Sequence, residues 1–194
     1  MEERDTGSGS QVIFVVLTGP ECTGKSTLAK QLAAHYNTVF IPEYAREYVE
    51  NLDRPYTYED ILHIAATQIK QKSEQNQRPQ RIVFLDTYLV ITKVWMDLLY
   101  KTHPVWIDEE LLRNDIGLYL LCNTDIVWMP DRVRENRGQA REDLFNLYRK
   151  ELEHYGLHYD IIEGTGAERL HRAILVVNSL IKVIEGGMKN EIQK

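Results

Sequence analysis

The residues best suited to chemistry form one short run, Gly19-Pro20-Glu21-Cys22-Thr23-Gly24-Lys25-Ser26-Thr27, lying between an apolar stretch and an amphipathic one. Gly19 and Gly24 bracket four residues, and Lys25-Ser26 complete a G-x-x-x-x-G-K-[ST] pattern in the strand-then-helix setting that gives it meaning. Glycines let successive backbone N–H groups turn into one concavity, and a helix opening at Gly24 adds the positive end of its dipole. Phosphate suits such a concavity. Lys25 is expected to reach the β- and γ-phosphates of ATP, and the Ser26 hydroxyl to ligate the Mg2+ that bridges them. The whole run from Gly19 to Thr27 is the expected ATP-binding loop.

A second metal-side group is expected at Asp86, because four apolar residues, Ile82-Val83-Phe84-Leu85, end there in a carboxylate at a strand tip. The alternative is an Asp that caps a helix starting at Thr87. Glu43, Tyr44 and Arg46 follow another short apolar run, so their heads could face whatever accepts the phosphate. A hydroxyl acceptor needs a carboxylate to align it or take its proton, and Glu43 is the best placed. Arg46 could pair with an anionic group or a hydroxyl pair. Equally, Glu43 could cap a helix and Arg46 pair with Glu50 four residues on.

Arg132, Arg134, Arg137 and Arg141 concentrate positive charge just beyond Trp128 and Asp131 in an otherwise acidic chain. A closing lid over about residues 129–141 would be built this way, with Arg132 and Arg134 stabilising charge in transit and the closure excluding water. A solvated helix whose arginines pair with Glu135, Glu142 and Asp143 reads as well from the same residues. Trp128, Tyr44 and Trp95 offer planes for a flat heterocycle, with Trp128 nearest the lid. Gly164-Thr165-Gly166 allows close approach to a purine or a turn leading into a helix. His154 and His158 are split by Gly156, which rules against a helical metal pair. Cys22 is either an oxidisable thiol or a small residue the loop tolerates.

The elements that must position these residues alternate. Val12 to Leu17 is apolar throughout, as a central parallel strand covered on both faces requires. A helix follows the loop, with Leu28, Leu32, Ala29 and Ala33 toward the sheet. Thr38 to Ile41 reads as a second strand stopped by Pro42. Thr57 and Asp60 approximate a capping box for a long helix, and Ile82 to Asp86 is the third strand. Helices are expected over Thr87 to Lys101 and Asp108 to Asn114, then strand Ile116 to Leu121. A helix carrying Leu144, Leu147, Tyr148 and Leu152, a strand Tyr159 to Ile162 and a closing helix through Leu170 to Leu180 complete the order. Strands alternating with helices specify an α/β, three-layer parallel fold.

With 194 residues the chain has room for one domain, expected over 11–186 between a polar tail at 1–10 and another at 187–194. The 23 basic and 29 acidic residues leave a formal charge of −6, which argues against nucleic acid or an anionic membrane as partner. No apolar run reaches the roughly twenty residues of a membrane span. Two cysteines without a metal or disulfide pattern, and no secretory leader, fit a reducing cytoplasm.

Four segments carry a family resemblance: Gly19-Pro20-Glu21 with Gly24-Lys25-Ser26-Thr27, Pro42-Glu43-Tyr44-Ala45-Arg46-Glu47-Tyr48, Leu85-Asp86-Thr87 with Thr92, and Asp125-Ile126 with Trp128, Asp131 and Arg134. From Val12 to about Leu180 the chain resembles the ribosylnicotinamide kinase domain of NadR-type NAD-salvage proteins and related stand-alone ATPase domains. That resemblance implies a P-loop NTPase fold with strand order 2-3-1-4-5, Arg132 and Arg134 in a small lid, and Trp128, Asp131, Tyr44 and Arg46 around a nucleoside. It departs at Asp131-Arg132, where family members often carry Asp-Gly, so the lid gains a charge. NadR proteins place an adenylyltransferase domain before the kinase. This chain begins almost at the phosphate loop, so that activity is not expected. The implied activity is ATP-dependent phosphorylation of the 5′-hydroxyl of a small nucleoside, nicotinamide riboside foremost. A nucleotide-dependent switch without kinase activity is the rival reading.

Overall fold

The computed structural model describes residues 12–76, 79–130 and 136–191, with side chains through residue 187. Its centre is a five-stranded parallel sheet in the order β2-β3-β1-β4-β5, as the family resemblance implies. The strands are β1 (Ile13–Thr18), β2 (Phe40–Ile41), β3 (Ile82–Asp86), β4 (Leu118–Cys122) and β5 (Tyr159–Ile162). Every residue of β1 is buried, and the side-chain period of two divides them between two cores. Phe14 and Val16 join Val83, Leu85 and Tyr119 on one face. Ile13, Val15 and Leu17 join Phe84 and Leu118 on the other.

Helices cover both faces. α1 (Lys25–His35) and α7 (Gly166–Glu191) bury Leu28, Leu32, Ala173 and Val177 against the second core. α3 (Tyr58–Gln75), α4 (Leu89–Tyr100), α5 (Val105–Leu112) and α6 (Gln139–His154) cover the first with Ile61, Leu89, Ile107 and Leu152. Leu28 and Leu32 are almost wholly enclosed, each burial contributing about 1.5–3 kcal/mol. The short α2 (Tyr44–Glu50) packs on α3. Thr57 and Asp60 form the expected capping box at the start of α3, with the Thr57 N–H donating to Asp60 Oδ2 at 2.7 Å.

Several boundaries differ from the sequence expectation. α5 begins directly after Pro104 rather than at Asp108, because the fixed φ of proline suits a helix start and its missing N–H costs nothing there. β2 keeps two residues of the expected four, and the Thr38 hydroxyl bonds instead to Ile82 O at 2.6 Å. α7 continues to Glu191, through Gly186 and Gly187 and past the expected tail boundary. α6 opens at Gln139 after Gly138, whose φ is 61°. The last residues of the expected lid segment, Arg141 among them, are therefore helical.

Candidate active site

The strand order changes direction between β1 and β3, which is where open α/β sheets leave a crevice at the carboxyl ends of their strands. Leu17 pairs with Asp86 in register, so the glycine-rich loop after β1 and the acid ending β3 are neighbours by construction. β2 runs parallel beside β3 and delivers Glu43 to the same edge. The loop and Glu43 share a cavity of about 470 Å³, with residues between Gly19 and Thr27 on one side and Glu43, Arg46 and an apolar wall on the other.

The loop needs its glycines. Gly19 has φ 131°, and a Cβ there would stand 2.6 Å from Cys122 O in the backbone of β4. Gly24 is left-handed at φ 76° and opens α1 as its N-cap. Lys25 is buried, and its ammonium donates to Pro20 O at 2.7 Å, which also accepts the Thr23 hydroxyl at 2.8 Å. Two buried arginines hold the loop's outer side. Arg141 donates to Glu21 O, Cys22 O and Ile126 O. Arg169 donates to Thr23 O, Asn123 O and Gly164 O and pairs with Asp125 at 2.8 Å. Arg141 thus lies behind the loop, on backbone carbonyls, and does not arch over it as a lid arginine. Gly164, whose N–H goes to Asp125, belongs to the turn that leads into α7.

Asp86 is 3% exposed, with the Ser26 hydroxyl near enough to favour its charged form. Its Oδ1 has no hydrogen-bond partner among the described residues. Burial raises its carboxyl above the usual range, opposed by the charge of Lys25 and the Ser26 hydroxyl. It does not cap α4, whose N-cap is Tyr88, with no side-chain cap bond. A buried carboxylate with one oxygen unmatched, beside a hydroxyl in the first turn of α1 where the phosphate loop ends, is a donor set that fits magnesium, a hard cation taking oxygen ligands. Thr87 next to it has φ 72°, and its N–H donates to Leu17 O at 3.0 Å. A β-branched residue held left-handed is a costly conformation, here at the tip that aims Asp86.

Glu43 is the N-cap residue of α2, but its side chain makes no cap bond. Burial pushes its carboxyl up, Asp86's charge adds to this, and Lys25 and Arg46 oppose it. Arg46 lines the cavity and also pairs with Glu50 at 2.9 Å, so the local ion pair and the cavity-facing position coexist. Tyr44 is turned toward α3: its hydroxyl meets His63 Nε2 at 3.0 Å, and it is not part of the cavity wall. Trp128 is likewise outside the wall. Its Nε1–H donates to the Glu21 carboxylate at 3.1 Å, and the Arg137 guanidinium lies 5.8 Å from its ring centre. Asp131, Arg132 and Arg134 lie outside the described residues.

The wall opposite the loop comes from residues that helical spacing made look like core. Ile91, Trp95 and Leu98 share one face of α4, and Tyr56 meets Trp95 edge-on with ring centres 4.8 Å apart. Tyr148 of α6 completes it, and burial raises its hydroxyl far above the tyrosine range. Trp95 is legible as an available aromatic plane, Tyr148 only as a periodic position of its helix, and Tyr56 carries no signal beyond its type.

Residues 14–169 match the model of a family described as an AAA domain. The chain belongs to that family. The trifunctional NAD biosynthesis/regulator protein NadR of Escherichia coli (strain K12) is 24% identical over 154 residues, covering 77% of this chain and 38% of that protein. The NadR of Salmonella typhimurium is 25% identical over 124 residues, covering 62% and 30%. The chain thus spans less than half the length of these relatives. Among solved structures, NadR in complex with NR superposes with a TM-score of 0.71 at 23% identity, covering 87% of this chain and 50% of that one. Deoxyadenosine kinase from M. mycoides superposes at 0.61 with 13% identity, covering 86% of this chain and 100% of the other. The fold is therefore one that kinases use.

Proposed function

We propose that the chain is a kinase that transfers the γ-phosphoryl group of ATP to the 5′-hydroxyl of a nucleoside, with nicotinamide riboside the first candidate. The observation that carries this is one cavity in which the glycine-rich loop faces Glu43 and an aromatic wall, with Asp86 paired in register beside the strand that leads into the loop. Donor and acceptor halves are thus within one enclosure. The likeness to NadR, solved with NR, and to deoxyadenosine kinase supports a nucleoside as acceptor.

In this reading the loop N–H groups bind the phosphates, and Lys25 exchanges Pro20 O for a phosphate oxygen. Ser26 and Asp86 hold magnesium, which when bound neutralises charge on the transferring group. Glu43 aligns the acceptor hydroxyl and takes its proton, a task suited by a carboxyl raised toward neutrality. Tyr56 and Trp95 receive the flat base. Positioning supplies most of the rate, because phosphoryl transfer asks little covalent chemistry of the protein.

ADP release measured by a coupled assay across a nucleoside panel tests the proposal. At least one nucleoside, nicotinamide riboside included, should accelerate release in wild type and not in Lys25→Ala. Slow hydrolysis indifferent to every nucleoside would refute it and favour a nucleotide switch.

A further inference from the structure

We infer that Arg141 is a positioning residue that orients the phosphate loop from behind, with a guanidinium charge that a bound polyphosphate balances. This rests on reading the loop as a triphosphate site. Arg141 is 5% exposed and makes no ion pair among the described residues. All three of its nitrogens donate to backbone carbonyls: Nε to Glu21 O at 3.1 Å, Nη2 to Cys22 O at 2.9 Å and Nη1 to Ile126 O at 2.8 Å.

The consequence follows from peptide geometry. In a trans peptide unit the C=O of one residue and the N–H of the next point in opposite directions. Fixing the carbonyls of Glu21 and Cys22 on Arg141 therefore turns the N–H groups of Cys22 and Thr23 the other way. Arg169, holding Thr23 O at 2.9 Å, does the same for the N–H of Gly24. Three consecutive donors are set by two side chains bonded to the carbonyls that precede them. The left-handed φ of 58° at Cys22, unusual for a residue with a Cβ, is the backbone cost of that arrangement.

The two arginines differ in charge balance. Arg169 has Asp125 at 2.8 Å, so it brings little net charge to the loop. Among the described residues Arg141 has only carbonyl dipoles as partners, and a buried cation so placed favours an anion on the other side of the loop. The geometry thus separates a neutralised clamp from a charged one on the same loop. Ile126, the third anchor of Arg141, is also the residue whose Cδ1 would stand 2.9 Å from a Cβ on Gly24, so the clamp and the helix start are packed together.

The test uses the full chain and two variants, Arg141→Gln and Arg141→Lys, with ATP and inorganic tripolyphosphate as probes. Arg141→Gln should raise Kd for both probes about 10- to 100-fold, the loss expected for charge-assisted bonds and an unbalanced charge. The acceptor KM should stay as in wild type, which a general loosening of the fold would not allow. Arg141→Lys keeps the charge without the fork and should recover part of the affinity, together with its dependence on salt. Wild-type affinity for tripolyphosphate in both variants overturns the inference while leaving the nucleotide site standing. Should Arg141→Gln fail to fold, Arg141→Lys decides alone; failure of both assigns the residue to stability and also overturns it. If wild type binds neither probe, the nucleotide reading falls as well.

Discussion

Replacing Asp86 with asparagine should strengthen the ligand-free fold and weaken the site. At neutral pH the native structure holds this carboxylate 3% exposed, with Oδ1 unmatched and burial raising its proton affinity. The amide has almost the same shape, retains an acceptor for Ser26 and removes the buried charge. Its gain is reduced by the lost attraction to Lys25. The amide's NH2 would be as unmatched as Oδ1, so the gain comes from removing the buried charge alone, a net stabilisation of about 1–2 kcal/mol. For a chain of this size that is a rise in Tm of about 2–8 °C. The assay is thermal melting of both proteins without nucleotide, from pH 4 to 8. Because the native carboxyl is raised, its proton-bound form favours folding fully below the ordinary aspartate value of 3.8, and this is lost as pH rises through the raised value. The advantage of Asp86→Asn should therefore grow with pH and vanish in acid. In the same preparation the magnesium-dependent affinity for ATP should fall about 10- to 100-fold. A variant that melts at or below wild type at pH 8, or that binds MgATP normally, would refute the assignment.

Other perturbations reach different parts of the site. Glu43→Gln should lower kcat by about 10²- to 10⁴-fold and leave the Kd of ATP nearly unchanged. In wild type the acid limb of kcat should lie above the ordinary glutamate value of 4.5, since burial raises this carboxyl, and the variant should lose that limb. Gly19→Ala forces a Cβ to 2.6 Å from Cys122 O at a φ of 131°, and should cost about 2–5 kcal/mol in a chemical-denaturation series. A midpoint unchanged from wild type would show that β4 can retreat. Asp108 accepts from the Tyr155 hydroxyl and lies 2.9 Å from His103 Nε2, bonds that outweigh burial and lower its carboxyl. Asp108→Asn should be less stable than wild type above pH 3.8, with the gap closing as pH falls through the lowered carboxyl value. A gap that persists in strong acid would point to packing instead.

What the sequence made legible is what depends on local pattern. Val12 to Leu17 reads as a central strand because a strand covered on both faces has no polar side to show, and Asp86 stands out as the acid ending such a run. The phosphate loop is legible because its geometry needs glycine at Gly19 and Gly24. What stayed hidden depends on partners distant in the chain. Arg141 shares a charge cluster with Arg132, Arg134 and Arg137 in sequence, and only the packing of α6 behind the loop shows its donors on carbonyls some 120 residues away. Trp95 and Leu98 repeat at the spacing of a core face, so nothing local distinguishes a wall around a cavity from a wall around packed side chains. Tyr44 lies beside Glu43 in sequence, but the helical turn of α2 carries it round to His63.

The costly backbone departures fall at the crevice. Among the described residues five with side chains are left-handed, and three of them, Asn37, Lys101 and Asn114, lie just past helix C-termini, where that conformation closes a helix at little cost. The other two, Cys22 and Thr87, follow no helix; one is in the phosphate loop and one is at the tip of β3. Charge divides the same way. Lys72 is buried against Glu110, and Asp60 is held by a fork from Arg54, so burial away from the crevice comes with a partner. Behind the loop Arg141 has, among the described residues, carbonyls as its partners, and at the tip of β3 Asp86 keeps an unmatched oxygen, one cationic and one anionic group. Stability alone would have removed both imbalances. A polyanion and a divalent cation arriving together would complement the two at once, which is why these residues argue for a magnesium–triphosphate complex more strongly than the loop pattern does by itself.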